Sequence, residues 1–197
     1  MRTLRLARVL VVLTLLACGA TAAEARYEGN LNLFAGRKWL NTGDWAPADT
    51  QDQLGLMFAF GEERAAVHFA IDVLLGNGDV GGPPPAFGEL TSSSSTEVAI
   101  GVRKVWTGHA TRPHLGAGAN VIDVGEERRG PAGPLKVDDR GYGVWVDAGV
   151  TWRLAGHLNL GLEARFSSAR AELGTGFVPR DVAAGGVHFG VLIGYGW

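Results

Sequence analysis

The residues of this chain best suited to chemistry are five histidines, one cysteine and a set of isolated charges. An imidazole can act as general base or metal ligand, and a thiolate can attack or bind metal. His68, His114 and His188 fall at equivalent positions of separate segments, but no H-E-x-x-H, no His-x-His and no Cys–His pairing accompanies them. The expectation for these three is a hydrogen-bonded interior histidine, and for His109 and His157 a position in a short turn. The only cysteine, Cys18, lies near the N-terminus, so the rest of the chain offers no thiolate and no disulfide. Gly116-Ala117-Gly118-Ala119 is not a phosphate loop, because no helical segment follows it. No cofactor and no enzymatic activity are expected.

The charges that remain are Glu28, Asp72, Glu97, Asp147 and Glu163 with Arg103, Arg153 and Arg165, and what they can do depends on the elements that carry them. Those elements read as strands. Alternation of apolar and small or polar residues recurs eight times, in segments near 27–36, 54–60, 67–75, 97–103, 114–121, 142–153, 158–167 and 187–197. In the last, Val187, Phe189, Val191, Ile193, Tyr195 and Trp197 share one face, and His188, Gly190, Leu192, Gly194 and Gly196 share the other. In the sixth, Tyr142, Val144, Val146, Ala148, Val150 and Trp152 oppose Gly143, Trp145, Asp147, Gly149, Thr151 and Arg153.

The connections alternate in length. Polar stretches near 39–52, 76–95, 123–141 and 168–185 follow odd strands and read as solvated, mobile loops, whereas those near 61–66, 107–112 and 154–157 are short. An even number of strands, with long loops at one end and short turns at the other, is the pattern of an all-β, eight-stranded antiparallel up-and-down transmembrane β-barrel. Composition decides which face is wet. The charged set is diluted with glycine and alanine, which suits a cramped interior better than a water-facing sheet surface. The apolar set, with aromatics towards strand ends, suits hydrocarbon and its interfaces.

Asp72, Glu97, Arg103, Asp147, Arg153, Glu163 and Arg165 are therefore expected to meet inside the barrel as a structural network of ion pairs. An alternative has them line a narrow channel for ions or small hydrophobic solutes. The mixing of both signs, four carboxylates with three arginines, favours the network. Trp39, Trp45 and Trp106 are expected as interface anchors, with Trp39 and Trp45 available to a loop binding surface.

The N-terminus has the order of a secretory signal: Arg2, Arg5 and Arg8, an apolar run from Val9 to Ala17, then Ala23-Glu24-Ala25. That divides the chain into a signal peptide, 1–25, and a barrel domain, 26–197. Leu15-Leu16-Ala17-Cys18 is also similar to a lipoprotein signal, although leucine before the small residue fits it poorly, so acylation at Cys18 stands beside cleavage after Ala25. With 18 Lys+Arg against 20 Asp+Glu, the chain has no basic excess for nucleic acid.

With its alternating strands and the ending Ile193-Gly194-Tyr195-Gly196-Trp197, the chain resembles the small eight-stranded outer-membrane barrels of Gram-negative bacteria, such as the OmpA transmembrane domain and OmpX. Gly36-Arg37-Lys38-Trp39-Leu40 followed by Asp44-Trp45-Ala46-Pro47 is similar to the first-loop region of such barrels with no assigned activity. The resemblance implies an outer-membrane location, contact with membrane lipid and lipopolysaccharide, and escort by periplasmic chaperones. It also implies recognition of Tyr195 and Trp197 by the barrel-assembly machinery. Some relatives act on lipid A, and their deacylases carry histidine two residues before a serine near the final strand. Here Arg165-Phe166-Ser167-Ser168 has no such histidine and His188 precedes Phe189-Gly190, which speaks against that activity.

Overall fold

The computed structural model describes residues 27–63, 65–80, 86, 88–107, 109–130, 133–174 and 179–197. The proposed signal peptide with Cys18, and the Gly/Pro-rich runs at 81–85 and 131–132, lie outside these residues. Nine strands and one turn of helix follow in order: β1 (Tyr27–Trp39), α1 (Thr42–Trp45), β2 (Thr50–Glu62), β3 (His68–Asp79), β4 (Leu90–Val105), β5 (Thr111–Gly130), β6 (Gly133–Leu154), β7 (Leu158–Leu173), β8 (Arg180–Ala183) and β9 (Gly186–Gly196).

Every neighbouring pair is antiparallel. The ladder runs β1 to β7 in sequence order, and β9 pairs with both β7 and β1, which closes the ring. Eight strands form the barrel wall. The ninth, β8, pairs only with the far end of β7, Arg170 to Leu173. Closure gives every wall strand two partners, so unpaired edge is left mainly at the long-loop end, on β8 and on β6 above Tyr142.

Parity places the side chains as the sequence implies. Leu31, Leu33, Leu54, Phe69, Ile100, Leu115, Val146, Leu162 and Val191 are among the large apolar residues exposed on the outside. Aromatics gather at the short-turn end, where Phe58, Phe60, Phe69, Tyr195 and Trp197 form a chain of ring contacts 5.2 to 6.4 Å apart. Trp197 extends the β1–β9 ladder by exchanging backbone hydrogen bonds with Gly29 at 3.1 and 3.2 Å. Its ring lies where a Cβ on residue 29 would project, so glycine is what admits it.

Three expectations about the long connections are corrected. The stretch 123–141 is mostly ladder rather than a loop: β5 and β6 stay paired from Thr111↔Trp152 up to Gly130↔Gly133. Likewise 168–185 begins as six more residues of β7 and returns as β8, while 76–95 supplies four residues to β3 and six to β4. The physical reason is that alternation continues there with its sign reversed. Ile122, Val124, Ala169, Ala171 and Leu173 point inward and are buried, and Asp123, Arg140 and Arg170 lie on the outward parity.

Trp45 is the fourth correction. It is fully buried (0 % exposed), not an interface anchor, and packs with Leu40, Ile122, Val124, Leu173, Val182 and Ala184 inside the long-loop end of the barrel. Asn41 caps α1 by accepting from the Gly43 N–H at 2.8 Å, and the Trp45 indole donates to Ala183 O at 2.7 Å. The loop and β8 thus fold into the mouth. Trp39 and Trp106 remain on the outside.

Candidate functional site

The centre of the barrel is held by charge. Asp72 on β3 accepts from two arginines through one oxygen: Arg103 on β4 at 3.0 Å and Arg165 on β7 at 2.7 Å. Arg103 also donates to Asp147 on β6 at 2.5 Å, and Arg165 to Glu97 on β4 at 2.8 Å. Glu97 accepts further from Asn120 at 3.0 Å and faces Lys38 at 4.0 Å and His188 at 3.8 Å. All of these side chains are buried. Desolvation of this kind is offset by shared charged hydrogen bonds, and Asp72, Glu97, Arg103 and Arg165 each make at least two, whereas Asp147 makes one, to Arg103.

Trp145 floors the network. Its inward ring carries the guanidinium of Arg165 4.4 Å above the centroid and that of Arg103 at 5.6 Å, while its N–H lies 3.2 Å from Ile100 O and Ala119 O. The ring reaches across because glycine lines its path: a Cβ at Gly101 or Gly116 would meet the indole within 3 Å.

The seven charges singled out from sequence therefore divide. Asp72, Glu97, Arg103, Asp147 and Arg165 meet in the central network. Glu163 sits beside it and binds His114 at 2.7 Å. Arg153 is separate, at the short-turn end, where it donates to Asn30 at 2.6 Å and Asn159 at 3.2 Å and faces Glu28 at 3.7 Å. Glu28 is paired principally with Arg112. A cavity of about 20 Å³ lies between the two groups, lined by Asn30, Asn32, Arg103, His114, Thr151 and Glu163.

Sequence reasoning did not single out Lys38, which continues the inward parity of β1 beyond Gly36 and donates to Ala184 O at 3.0 Å, tying the network to the apolar mouth. Nor did it foresee that Ser167 on β7 and His188 on β9 meet at 2.9 Å, with Gln53 on β2 at 2.8 Å from the other imidazole nitrogen. They are 21 residues apart, and register rather than chain adjacency joins them. A serine on an oriented imidazole is the start of nucleophile activation. Here both are sealed, at 1 % and 0 % exposure.

On the outer parts of wall strands β1, β2, β5 and β6, Arg140 binds Asp123 at 2.6 Å, Lys136 binds the partly exposed Glu127 at 2.7 Å, and Arg37 binds Asp52 at 3.1 Å. The Asp139 carboxylate is held below its ordinary range by accepting the backbone N–H of Glu172 and then that of Arg140. Hydrogen bonds to Glu126 raise Arg128 above its ordinary value.

A closed, eight-stranded antiparallel wall with an apolar exterior and a charged interior defines the outer-membrane β-barrel fold. Solved structures agree. The outer membrane protein OprG of Pseudomonas aeruginosa superposes with TM-score 0.53 at 15 % identity, over 87 % of this chain and 94 % of that one. A major outer membrane protein of Thermus thermophilus gives TM-score 0.53 at 9 % identity over 87 % and 98 %. The N-terminal β-barrel domain of Pseudomonas aeruginosa OprF gives 0.50 at 9 % over 86 % and 97 %. No protein-family model and no curated protein sequence matches the chain.

Proposed function

We propose that the chain is an integral protein of the bacterial outer membrane with a plugged lumen, a structural or surface-interaction barrel that presents its long-loop end outward and performs no catalysis. The observation that carries this reading is the interior itself. Arg103 and Arg165 bridge carboxylates from β3, β4 and β6, and the Trp45 cluster fills the mouth above them. Ions would have to displace a paired network, and larger solutes would have to displace both layers. Lipid and lipopolysaccharide contact the apolar wall. Tyr195 and Trp197, at the end of β9, serve recognition by the barrel-assembly machinery after escort by periplasmic chaperones.

Planar-bilayer recording of the refolded barrel tests the plug. Electrical silence is expected, and steady, reproducible conductance steps would overturn it in favour of a narrow channel. The Ser167–His188 contact motivates one more assay, incubation of the same preparation with lipid A. Release or transfer of an acyl chain would replace the structural reading with an enzymatic one.

A further inference from the structure

Next to the central network is a group whose hydrogen bonding is incomplete. His114, Asp147 and Glu163, from three consecutive wall strands, are all buried, and one donor atom from each lies within 4.8 Å of the others. Asp147 Oδ1 and Glu163 Oε1 have no hydrogen-bond partner among the described residues, although Asp147 is only 5 % and Glu163 1 % exposed. A buried carboxylate oxygen without a donor is costly and calls for a ligand. The charges point the same way. Asp72, Glu97, Asp147 and Glu163 face Lys38, Arg103 and Arg165 in this layer, one carboxylate more than there are cations, and the one without a cation of its own is Glu163, whose partner is an imidazole rather than a guanidinium.

We propose that His114, Asp147 and Glu163 form a divalent-cation site inside the barrel. One imidazole nitrogen and two carboxylate oxygens suit a borderline transition ion such as Zn²⁺, with water completing the shell. The surroundings provide for both. The cavity of about 20 Å³ that His114 and Glu163 line has room for a water. Arg103 binds Asp147 through Oδ2, which fixes that carboxylate and leaves Oδ1 free. Glycine keeps the space open: a Cβ at Gly149 would lie 2.5 Å from Glu163 Oε2 and 2.6 Å from His114, and one at Gly116 would lie 2.5 Å from Asp147 Oδ1.

The test uses untagged, refolded barrel in detergent, stripped with chelator and titrated calorimetrically with zinc chloride. One equivalent is expected. His114→Asn and Glu163→Gln should each weaken binding by at least about tenfold while keeping heat-modifiable gel mobility, and His109→Asn, on the surface, should change nothing. No zinc uptake by the folded wild-type barrel, or binding abolished by His109→Asn and retained by His114→Asn, would overturn the site. Should either site variant fail to fold, X-ray absorption of the zinc-loaded wild type decides: one nitrogen with oxygens supports the assignment, and an all-oxygen shell refutes it.

Discussion

The lower and upper parts of the interior solve the same packing problem in opposite ways. Beside the apolar outer band, inward positions carry Asp72, Glu97, Arg103, Asp147, Glu163 and Arg165; above it, inward positions carry Trp45, Ile122, Val124, Ala171 and Leu173. The exchange happens within single strands without a change of parity. On β5, Leu115, Ala117, Ala119 and Val121 face out until Asp123 replaces them, and His114 and Asn120 face in until Ile122. On β7 the switch falls between Phe166 and Arg170 outside, and between Ser167 and Ala169 inside. Where the outside solvent is hydrocarbon, the inside holds the charged network beside a small apolar cluster of Phe34, Met57, Leu74 and Leu192; where it is water, the inside is mainly a hydrophobic core, edged by buried Gln51, Ser93 and Ser95. The switch marks the boundary between the membrane layer and water.

If the two layers are distinct, breaking each should have a different reach. The largest effect is expected at Arg165. Arg165→Met would leave Glu97 without its guanidinium and Asp72 with one arginine instead of two, at a cost of about 3–5 kcal/mol. The urea midpoint for loss of heat-modifiable mobility should fall accordingly. Adding Glu97→Gln should recover at least about 1 kcal/mol, because it removes the stranded charge. A double variant no better than the single would mean that the network does not act as a unit. Trp45→Ala removes the centre of the upper core, worth about 3 kcal/mol. Its effect should stay local: faster hydrogen exchange at the Leu40 and Ala184 amides, which bond Asp49 O and Ala169 O, with the urea midpoint held. A matching fall in the midpoint would show one cooperative unit instead of two.

The same switch explains how much the sequence could reveal. The wall was legible, because Val187 to Trp197 and Tyr142 to Arg153 keep a strict two-residue alternation with apolar residues out. Beyond Val121 and Phe166 the alternation persists, but Asp123 and Arg170 stand where the pattern called for lipid-facing residues, so ordered strand resembles polar loop. Trp45 misled for a related reason: an aromatic near a barrel rim has two environments, interface and mouth, and only the fold of 40–49 chooses. Membership of the interior was readable from parity, but pairings were not. Arg153 shares parity with Arg165 and ends up in another group, because depth along the strand decides who meets whom.

A charge walked along the outside would sharpen the boundary. Val146 lies in the middle of the outward face of β6, opposite Ala117 and Phe166. Val146→Arg should lower stability in lipid bilayers by about 2–4 kcal/mol, the penalty of a midplane cation. Asp123→Leu, above the switch, should leave the urea midpoint nearly unmoved, since it meets water and loses only an exposed pair with Arg140. Equal effects at the two positions would move the boundary or abolish it.

The smallest effect is expected where the tall wall stands in water. Asp139, above the last β6–β7 ladder pair Tyr142↔Arg170, ties the strands together by accepting the Glu172 N–H at 2.6 Å. That bond, with a second from the Arg140 N–H, favours the ionised carboxylate and lowers its pKa below that of the unfolded chain. A depressed acid stabilises the folded form above the unfolded pKa, and the contribution disappears as pH falls through the lower folded value. Acidification through that window should therefore speed exchange at the Glu172 amide while the barrel keeps its heat-modifiable mobility. Asp139→Asn should show the faster exchange already at neutral pH and no further acid step. An acid step of equal size in the variant would assign the pH dependence to another carboxylate and leave the upper wall held by its ladder alone.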